Sequence, residues 1–147
     1  MIALDTNLLI YAHRAGVPEH ARAQRSIEQA LGHPLGCGIA LPCAAEFFSI
    51  VTHPTATGRP STATEAGAFL RLLEEEGGAR WLAPGPSFAS RLAQTAADLG
   101  VAGARIFDVQ VALCSLDGGA SEVWTHDAGF VHVPGLRLHD PLSRAGK

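Results

Sequence analysis

The sequence has 147 residues, of which 47% are hydrophobic and 17% charged, and its formal net charge is −3 at pH 7. This composition is typical of a folded globular chain and excludes a disordered one, while the charge neither indicates nor excludes a nucleic-acid partner. No stretch reaches the roughly 18 apolar residues of a membrane span, and the N-terminus carries no basic leader. We therefore expect residues 1–147 to form a single cytoplasmic domain with no membrane partner.

Predicted strands and helices alternate along the chain. The predicted strands are residues 2–4, 36–41, 79–84, 121–125 and 136–141. The predicted helices are residues 6–12, 17–31, 42–51, 62–77, 87–100 and 105–119. Pro18 and Pro42 favour helix starts, Gly32 and Gly77 favour helix ends, and the Thr- and Pro-rich stretch 52–61 is typical of a loop. This alternation predicts an α/β fold, a three-layer α/β/α sandwich around a central, mainly parallel sheet.

Four carboxylates interrupt apolar segments. Asp108 lies within the helical run "ARIFDVQVAL", and Glu46 lies within "LPCAAEFFSIV". Asp5 follows the strand "IAL", and Asp127 follows "VWT". Because the carboxyl ends of parallel strands meet at one edge of a sheet, where ligands bind, we expect these four side chains to lie close together.

Each of these acids also has a purely structural interpretation. Asp5, Asp108 and Asp127 are well placed to cap helix N-termini. Glu46 caps nothing, so its structural alternative is an ion pair with an arginine. The remaining acids at element ends are expected to be solvated; these are Asp98, Asp117, Glu122 and Asp140.

Several chemistries lack the residues that they need. Lys147 is the only lysine among 11 basic residues, which excludes mechanisms that depend on an internal lysine. There is no G-x-S-x-G motif, and the seven histidines contain no zinc-binding pair. The three cysteines form no C-x-x-C motif and are interpreted as buried thiols. Four carboxylates in one pocket favour a hard cation, Mg²⁺ or Mn²⁺.

The acidic segments match a known family. In order and spacing, "IALDTNLLIYA", "CAAEFF", "ARIFDVQVAL" and "VWTHDAGF" resemble the motifs of PIN-domain ribonucleases, and most closely the VapC toxins of bacterial toxin–antitoxin pairs. The resemblance covers nearly the whole chain. It implies a Mg²⁺- or Mn²⁺-dependent endoribonuclease that acts on an RNA substrate, forms a homodimer and is silenced by a small VapB-like antitoxin.

The resemblance also assigns roles to residues. It implies that Asp5, Glu46 and Asp108 form the metal-binding, catalytic core and that Asp127 is the fourth acid. Polar residues next to these acids resemble those that orient the core; they are Thr6, Asn7 and Thr125. Many relatives carry a further acid where this chain has Gly129, which makes Asp127 the only candidate in the last motif.

The implied chemistry is metal-assisted hydrolysis of a phosphodiester, with water as the nucleophile. Three arginines near the acidic motifs are candidates to bind the RNA backbone, namely Arg14, Arg59 and Arg105. Two other functions stay open. One is a phosphatase with Asp5 as nucleophile, although this class needs an acid where the chain has Asn7 and also needs an internal lysine. The other is a non-catalytic binding module that keeps the PIN fold.

Overall fold

The sheet is parallel throughout, as the alternating pattern predicts. The protein's structure, a computed structural model, describes residues 1–56 and 58–144, so Lys147 lies outside the described residues. The strands are β1 (Ile2–Leu4), β2 (Cys37–Ala40), β3 (Arg80–Leu82), β4 (Glu122–Trp124) and β5 (Arg137–His139). They lie in the order β3-β2-β1-β4-β5, and each neighbouring pair is parallel.

Six α-helices connect and cover these strands in the described part of the chain. They are α1 (Thr6–His13), α2 (His20–Leu31), α3 (Leu41–Val51), α4 (Ala63–Arg71), α5 (Phe88–Leu99) and α6 (Ile106–Asp117). A π-helical turn (Leu72–Glu76) extends α4, and a 3₁₀ turn (Gly103–Arg105) precedes α6. Every residue of β1 and β2 is buried, so both faces of the central strands are covered and the predicted sandwich is confirmed.

Local sequence signals set the helix ends. Thr62 caps α4 through a reciprocal pair of hydrogen bonds, in which the Glu65 N–H donates to Thr62 Oγ1 and the Thr62 N–H donates to Glu65 Oε1. Pro42 lies in the first turn of α3, where its missing N–H has no helical partner to lose. Helix α2 starts at His20 rather than at residue 17, because the residues around Pro18 form a turn instead. Every described helix falls short of the length and apolar character that a membrane crossing requires.

The core contains a cluster of aromatic rings and a leucine that packs directly against two glycines. Phe47 is fully buried on α3, and its ring stacks on Phe69 with centroids 5.2 Å apart. Leu82 fills the space above Gly38 and Gly118, where an added Cβ would lie 2.7 Å and 2.5 Å from its side-chain carbons. Glycine at these two positions therefore allows Leu82 to pack against the sheet.

The strand order places two chain segments side by side. β1 is the central strand, with β2 on one side and β4 on the other, and Leu4 lies opposite Trp124. The next residues, Asp5 and Thr125, are therefore neighbours at the carboxyl edge, and the Asp5 N–H donates to the Trp124 carbonyl at 3.0 Å. The connection from β3 to β4 crosses from one half of the sheet to the other, so the strand order changes direction between β1 and β4. A sheet of this kind opens its ligand crevice there.

Candidate active site

A cavity of about 740 Å³ opens at the carboxyl edge of the sheet and is lined by all four predicted acids. Asp5 comes from the end of β1, Glu46 from α3, Asp108 from α6 and Asp127 from the loop after β4. Segments far apart in the chain thus bring four carboxylates to one cavity. Among the described residues, no three Asp, Glu, His or Cys side chains are packed tightly enough to form a compact metal-ligand group. The carboxylates line the cavity walls rather than meeting at one point.

Asp5 lies at the base of the cavity and is only 8% exposed. Its Oδ1 accepts the Thr6 N–H at 2.8 Å, so Asp5 also caps α1, as its structural alternative predicts. Its Oδ2 accepts the Thr125 hydroxyl at 2.7 Å. Burial raises the pKa of Asp5 to about 6, and the negative charges of Glu46 and Asp108 add to the rise, while the hydrogen bonds from Thr125 and Thr6 oppose it.

The three predicted supporting residues connect the acids to one another. Asn7 Nδ2 donates to Asp5 Oδ2 at 3.3 Å and to Thr125 Oγ1 at 3.1 Å, and its Oδ1 accepts the His126 N–H. Thr125 Oγ1 in turn accepts the Asp127 N–H at 3.1 Å. Thr6 Oγ1 donates to Glu46 Oε2 at 3.2 Å. These bonds fix the loop after β4 against the start of α1, so they set the position of two of the acids.

Glu46 is exposed rather than buried. Helix α3 therefore carries this carboxylate without the cost of burying a charge. The core-facing side of α3 is formed by Cys43, Phe47 and Val51, while Glu46 points into the cavity. Among the described residues, no arginine forms an ion pair with Glu46. The arginine–carboxylate pairs within residues 1–56 and 58–144 are Arg59–Glu65, Arg91–Asp117 and Arg137–Glu122. The structural alternative for Glu46 is therefore wrong.

Asp108 and Asp127 also line the cavity. Asp108 is half-buried in the first turn of α6 and accepts the Val131 N–H at 3.3 Å. Burial raises its pKa, the charge of Asp127 adds to this, and Arg105 opposes it. Asp127 is exposed, and its Oδ1 accepts the Gly129 N–H at 2.8 Å. This backbone hydrogen bond helps to orient the Asp127 carboxylate.

The three candidate arginines have different surroundings. Arg14 donates to the carbonyls of Arg59 at 2.8 Å and Val51 at 2.9 Å, so it fastens the loop after α3. Arg59 is exposed and pairs with Glu65 at 2.9 Å. Arg105 is exposed beside α6, and its charge acts on Asp108. Arg105 therefore lies close enough to Asp108 for its charge to lower the pKa of that carboxyl.

Three acids that we expected to be solvated have specific partners instead. Asp117 accepts two hydrogen bonds from Arg91, at 2.9 Å and 2.7 Å, and a third from the Gly85 N–H. Glu122 accepts from Arg137 and from the Trp124 indole. Asp140 accepts from His126 Nδ1 at 2.9 Å. Their partners lie 14 to 32 residues away, apart from Trp124, so spacing along the chain gave no signal of the pairing.

Two aromatic residues at the site were missed by sequence reasoning. Phe107 is 60% exposed, and its ring lines the acidic cavity beside Asp108. Tyr11 packs edge-on against the His126 ring, with centroids 6.0 Å apart, and burial together with the charges of Glu19 and Asp127 raises its pKa. Both lie in apolar runs, where an aromatic residue cannot be distinguished from a core residue without tertiary information.

The chemical type of the donors, rather than their present spacing, suits a hard divalent cation. Asp5 is a nearly buried carboxylate whose pKa is raised partly by two neighbouring carboxylates, an arrangement that a cation would relieve. The ion pairs formed between described residues include none of the four acids. All of the available ligands are oxygens, which Mg²⁺ and Mn²⁺ prefer over the nitrogen and sulfur ligands typical of zinc.

Fold and site together define a class: a parallel α/β protein with an acidic, oxygen-lined cavity at the switch point of its sheet. A family model described as the PIN domain matches residues 2–136, so the chain belongs to the PIN-domain family. The resemblance to VapC-type members is also confirmed. The chain is 29% identical over 142 residues to a VapC ribonuclease of Mycobacterium bovis, covering 97% of this chain and 96% of that protein.

Solved structures show the same fold at low sequence identity. VapC20 of Mycobacterium tuberculosis, a toxin that cleaves the sarcin-ricin loop, superimposes with a TM-score of 0.65 at 13% identity, over 88% of this chain and 92% of that one. VapBC2 of Rickettsia felis, solved with a DNA fragment from its promoter, gives a TM-score of 0.67 at 16% identity, over 95% and 98% of the two chains. The described sandwich is therefore the fold of VapC proteins.

Proposed function

We propose that this PIN-domain protein is a VapC-type toxin, an endoribonuclease that hydrolyses RNA phosphodiester bonds with Mg²⁺ or Mn²⁺. The observation that carries the proposal is the single cavity lined by Asp5, Glu46, Asp108 and Asp127, in a chain whose relatives along nearly its full length are VapC ribonucleases. We also propose a role for each of the polar residues of this cavity. The four acids would hold the ion, and Thr6, Asn7 and Thr125 would position them.

The chain's own residues have distinct tasks in this reaction. Thr125 and the Thr6 N–H keep Asp5 in place at the base of the cavity, and Thr6 Oγ1 holds Glu46 against α1. When bound, the ion supplies Lewis-acid chemistry, in which it polarises the phosphodiester and makes water a better nucleophile. The exposed Arg105 is positioned to contact a phosphate oxygen of the substrate.

The cysteines do not supply a competing nucleophile. All three are buried thiols outside any disulfide. Burial raises the pKa of Cys37 to about 12 and that of Cys114 to about 11, and it also raises the pKa of Cys43. Thiols with such pKa values are protonated at neutral pH and unreactive, which supports water as the nucleophile.

The protein acts together with an antitoxin and with a second copy of itself. A small VapB-like antitoxin binds the protein and silences it, and the active form is a homodimer in the cytoplasm. The structural similarity to VapBC2 supports the antitoxin. Expression of the chain alone should arrest growth, and co-expression of a small neighbouring reading frame should relieve the arrest. Growth that continues normally on expression of soluble protein would contradict the toxin assignment.

Cleavage of RNA by the purified protein tests the enzyme assignment. With Mn²⁺ or Mg²⁺ we expect discrete cuts in total cellular RNA, and with a chelator we expect none. The Asp108→Asn variant should lower the rate by more than about 100-fold, beyond the loss typical of residues that only support a ligand. Asp98→Asn is the matched control, because this carboxylate lies on α5 and accepts a hydrogen bond from Gln94.

The outcomes separate the competing functions. Wild-type cleavage that survives in Asp108→Asn with the fold intact by circular dichroism would show that the cavity is not the active site. Binding of RNA without cleavage in either metal would favour the binding module. Stable labelling of Asp5 by beryllofluoride would favour the aspartate-nucleophile phosphatase.

A further inference from the structure

A second cavity lies beside the acidic one. Its volume is about 410 Å³, and Ile10, Ser49 and Ile50 line both cavities. The two spaces are therefore adjacent along the faces of α1 and α3. We call the second space the side cavity, and its distinctive lining residues are Tyr11, Arg14 and His53.

Tyr11 supplies the side cavity with a fixed aromatic ring. The ring packs edge-on against His126, with an angle of 76° between the two planes, and His126 is held in turn by Asp140. Burial raises the pKa of Tyr11, and the charges of Glu19 and Asp127 add to the rise, so the phenol lies near both carboxylates. A ring that is already positioned loses little entropy when a base stacks on it.

Arg14 and His53 give the side cavity two hydrogen-bond donors, of which Arg14 carries a positive charge. The two carbonyl bonds of Arg14 fix its guanidinium there. His53 closes a His-Pro-Thr turn, in which the Thr55 N–H donates to His53 Nδ1 at 3.1 Å. Because Nδ1 accepts this hydrogen, the ring hydrogen lies on Nε2, where it is available to a phosphate oxygen.

The charge therefore changes sign between the two cavities. Four carboxylates line one, and the Arg14 cation edges the other, where none of the described lining residues is acidic. An RNA strand is repelled by the acids wherever no cation offsets them, so a neighbouring basic surface stabilises its approach. The side cavity also has a size typical of spaces that hold one small ligand group, about 300–1,000 Å³.

We propose that the side cavity binds the nucleotide next to the scissile phosphodiester of a single-stranded RNA, with its base on Tyr11 and its phosphate near Arg14 and His53. This inference rests on the proposed endoribonuclease function, and it names the form of substrate that the site accepts. Single-stranded RNA fits because its unstacked bases can reach an aromatic ring, whereas bases inside a duplex cannot.

Two pairs of variants test the assignment. Tyr11→Leu removes the ring while keeping an apolar side chain, and Tyr11→Phe restores the ring. His53→Ala removes the imidazole, and His33→Ala is its matched control. His33 closes the equivalent His-Pro-Leu turn, in which the Leu35 N–H donates to His33 Nδ1, also at 3.1 Å, and it lines neither cavity. Thermal unfolding and circular dichroism show whether each variant is folded.

The readouts are the affinity and the cleavage kinetics for RNA. Binding is followed by the anisotropy of a fluorescein-labelled single-stranded RNA of random sequence, in Mn²⁺ and with the Asp108→Asn substitution to prevent cleavage. Tyr11→Leu should weaken binding by roughly tenfold, as expected for the loss of one stacked base, and Tyr11→Phe should recover most of it. His53→Ala should weaken binding by roughly threefold, as expected for the loss of one hydrogen bond, whereas His33→Ala should not weaken it. In the cleaving protein these losses should raise KM more than they lower kcat.

The failure of this inference can be distinguished from failure of the proposed function. If the wild-type protein cleaves RNA and the folded Tyr11→Leu and His53→Ala variants bind and cleave it equally well, the side cavity does not hold the nucleotide and is left to a protein partner. If the Tyr11→Phe variant is as weak as Tyr11→Leu, stacking is not the interaction. If the wild-type protein cleaves no RNA, the proposed function fails first.

Discussion

The buried carboxylate of Asp5 should make the metal-free protein more stable as the pH falls towards 5. The rise in its pKa from 3.8 to about 6 corresponds to about 3 kcal/mol, at about 1.4 kcal/mol per pKa unit. The folded protein therefore binds a proton more tightly than the unfolded chain does. In linkage terms, Asp5 destabilises the fold at pH values above about 6, and protonation removes this destabilisation progressively as the pH falls from about 6 to 3.8.

Only part of this free-energy difference can be measured between about pH 7.5 and pH 5. At about pH 5 the folded-state carboxyl is mostly protonated and the unfolded one mostly ionised, and the gain over about pH 7.5 is about 1.4 kcal/mol. Urea unfolding with a chelator present measures this gain as a shift in the midpoint. Because several histidines titrate in the same range, the relevant quantity is the difference between the wild-type protein and Asp5→Asn, which has no carboxyl at this position.

A second acid provides the control. Hydrogen bonds from Arg91 lower the pKa of Asp117, so its contribution is present above 3.8 and is lost only as the pH falls below that value. The difference between wild type and Asp117→Asn should therefore be flat from about pH 7.5 to 5, whereas the Asp5 difference changes. An Asp5 difference that is flat over this range, or that favours the wild type more at higher pH, would refute the claim that burial and like charges dominate at Asp5.

Four further results are expected. Adding Mg²⁺ should raise the melting temperature of the wild type at pH values where Asp5 is ionised, and Asp5→Asn should lose this shift; an equal shift in both would contradict ligation by Asp5. Thr125→Val should lower the rate of RNA cleavage by roughly 10–100-fold, because Asp5 loses the hydrogen bond that positions it. Thr125→Ser, which keeps the hydroxyl, should recover the rate, as measured by cleavage kinetics. Phe47→Ala should lower the free energy of unfolding by about 3–5 kcal/mol in a denaturant titration. Gly38→Ala should lower it by about 1–3 kcal/mol, a loss that a double-mutant cycle should show to vanish in a Leu82→Ala background.

Much of the fold could be predicted from local pattern. The alternation of strands and helices predicted the parallel sandwich, and the five predicted strands contain the five observed ones. The exact ends differ where tertiary packing or turn chemistry decides. The helix expected over 62–77 is α-helical only to Arg71 and continues as a π-helical turn, and the helix expected from residue 17 starts at His20.

The candidate site could be predicted in part. The four acids were identifiable because each interrupts an apolar segment, and the resemblance to PIN-domain ribonucleases added Thr6, Asn7 and Thr125. Sequence reasoning misjudged the surroundings of Asp117, Glu122 and Asp140, which are paired. It also gave no signal for Tyr11 or for the side cavity.

The sequence by itself determined which segments become strands and helices and which residues carry the acidic chemistry, because periodicity and residue type act over a few neighbouring positions. Only the tertiary structure decided which carboxylates share a cavity, which ones find an arginine, and that a basic cavity lies beside the acidic one. Those outcomes depend on sheet order and helix packing, which join residues such as Asp5 and Thr125 across 120 positions of chain. The free energy of such contacts arises when the whole domain closes, and no local stretch of sequence contains it.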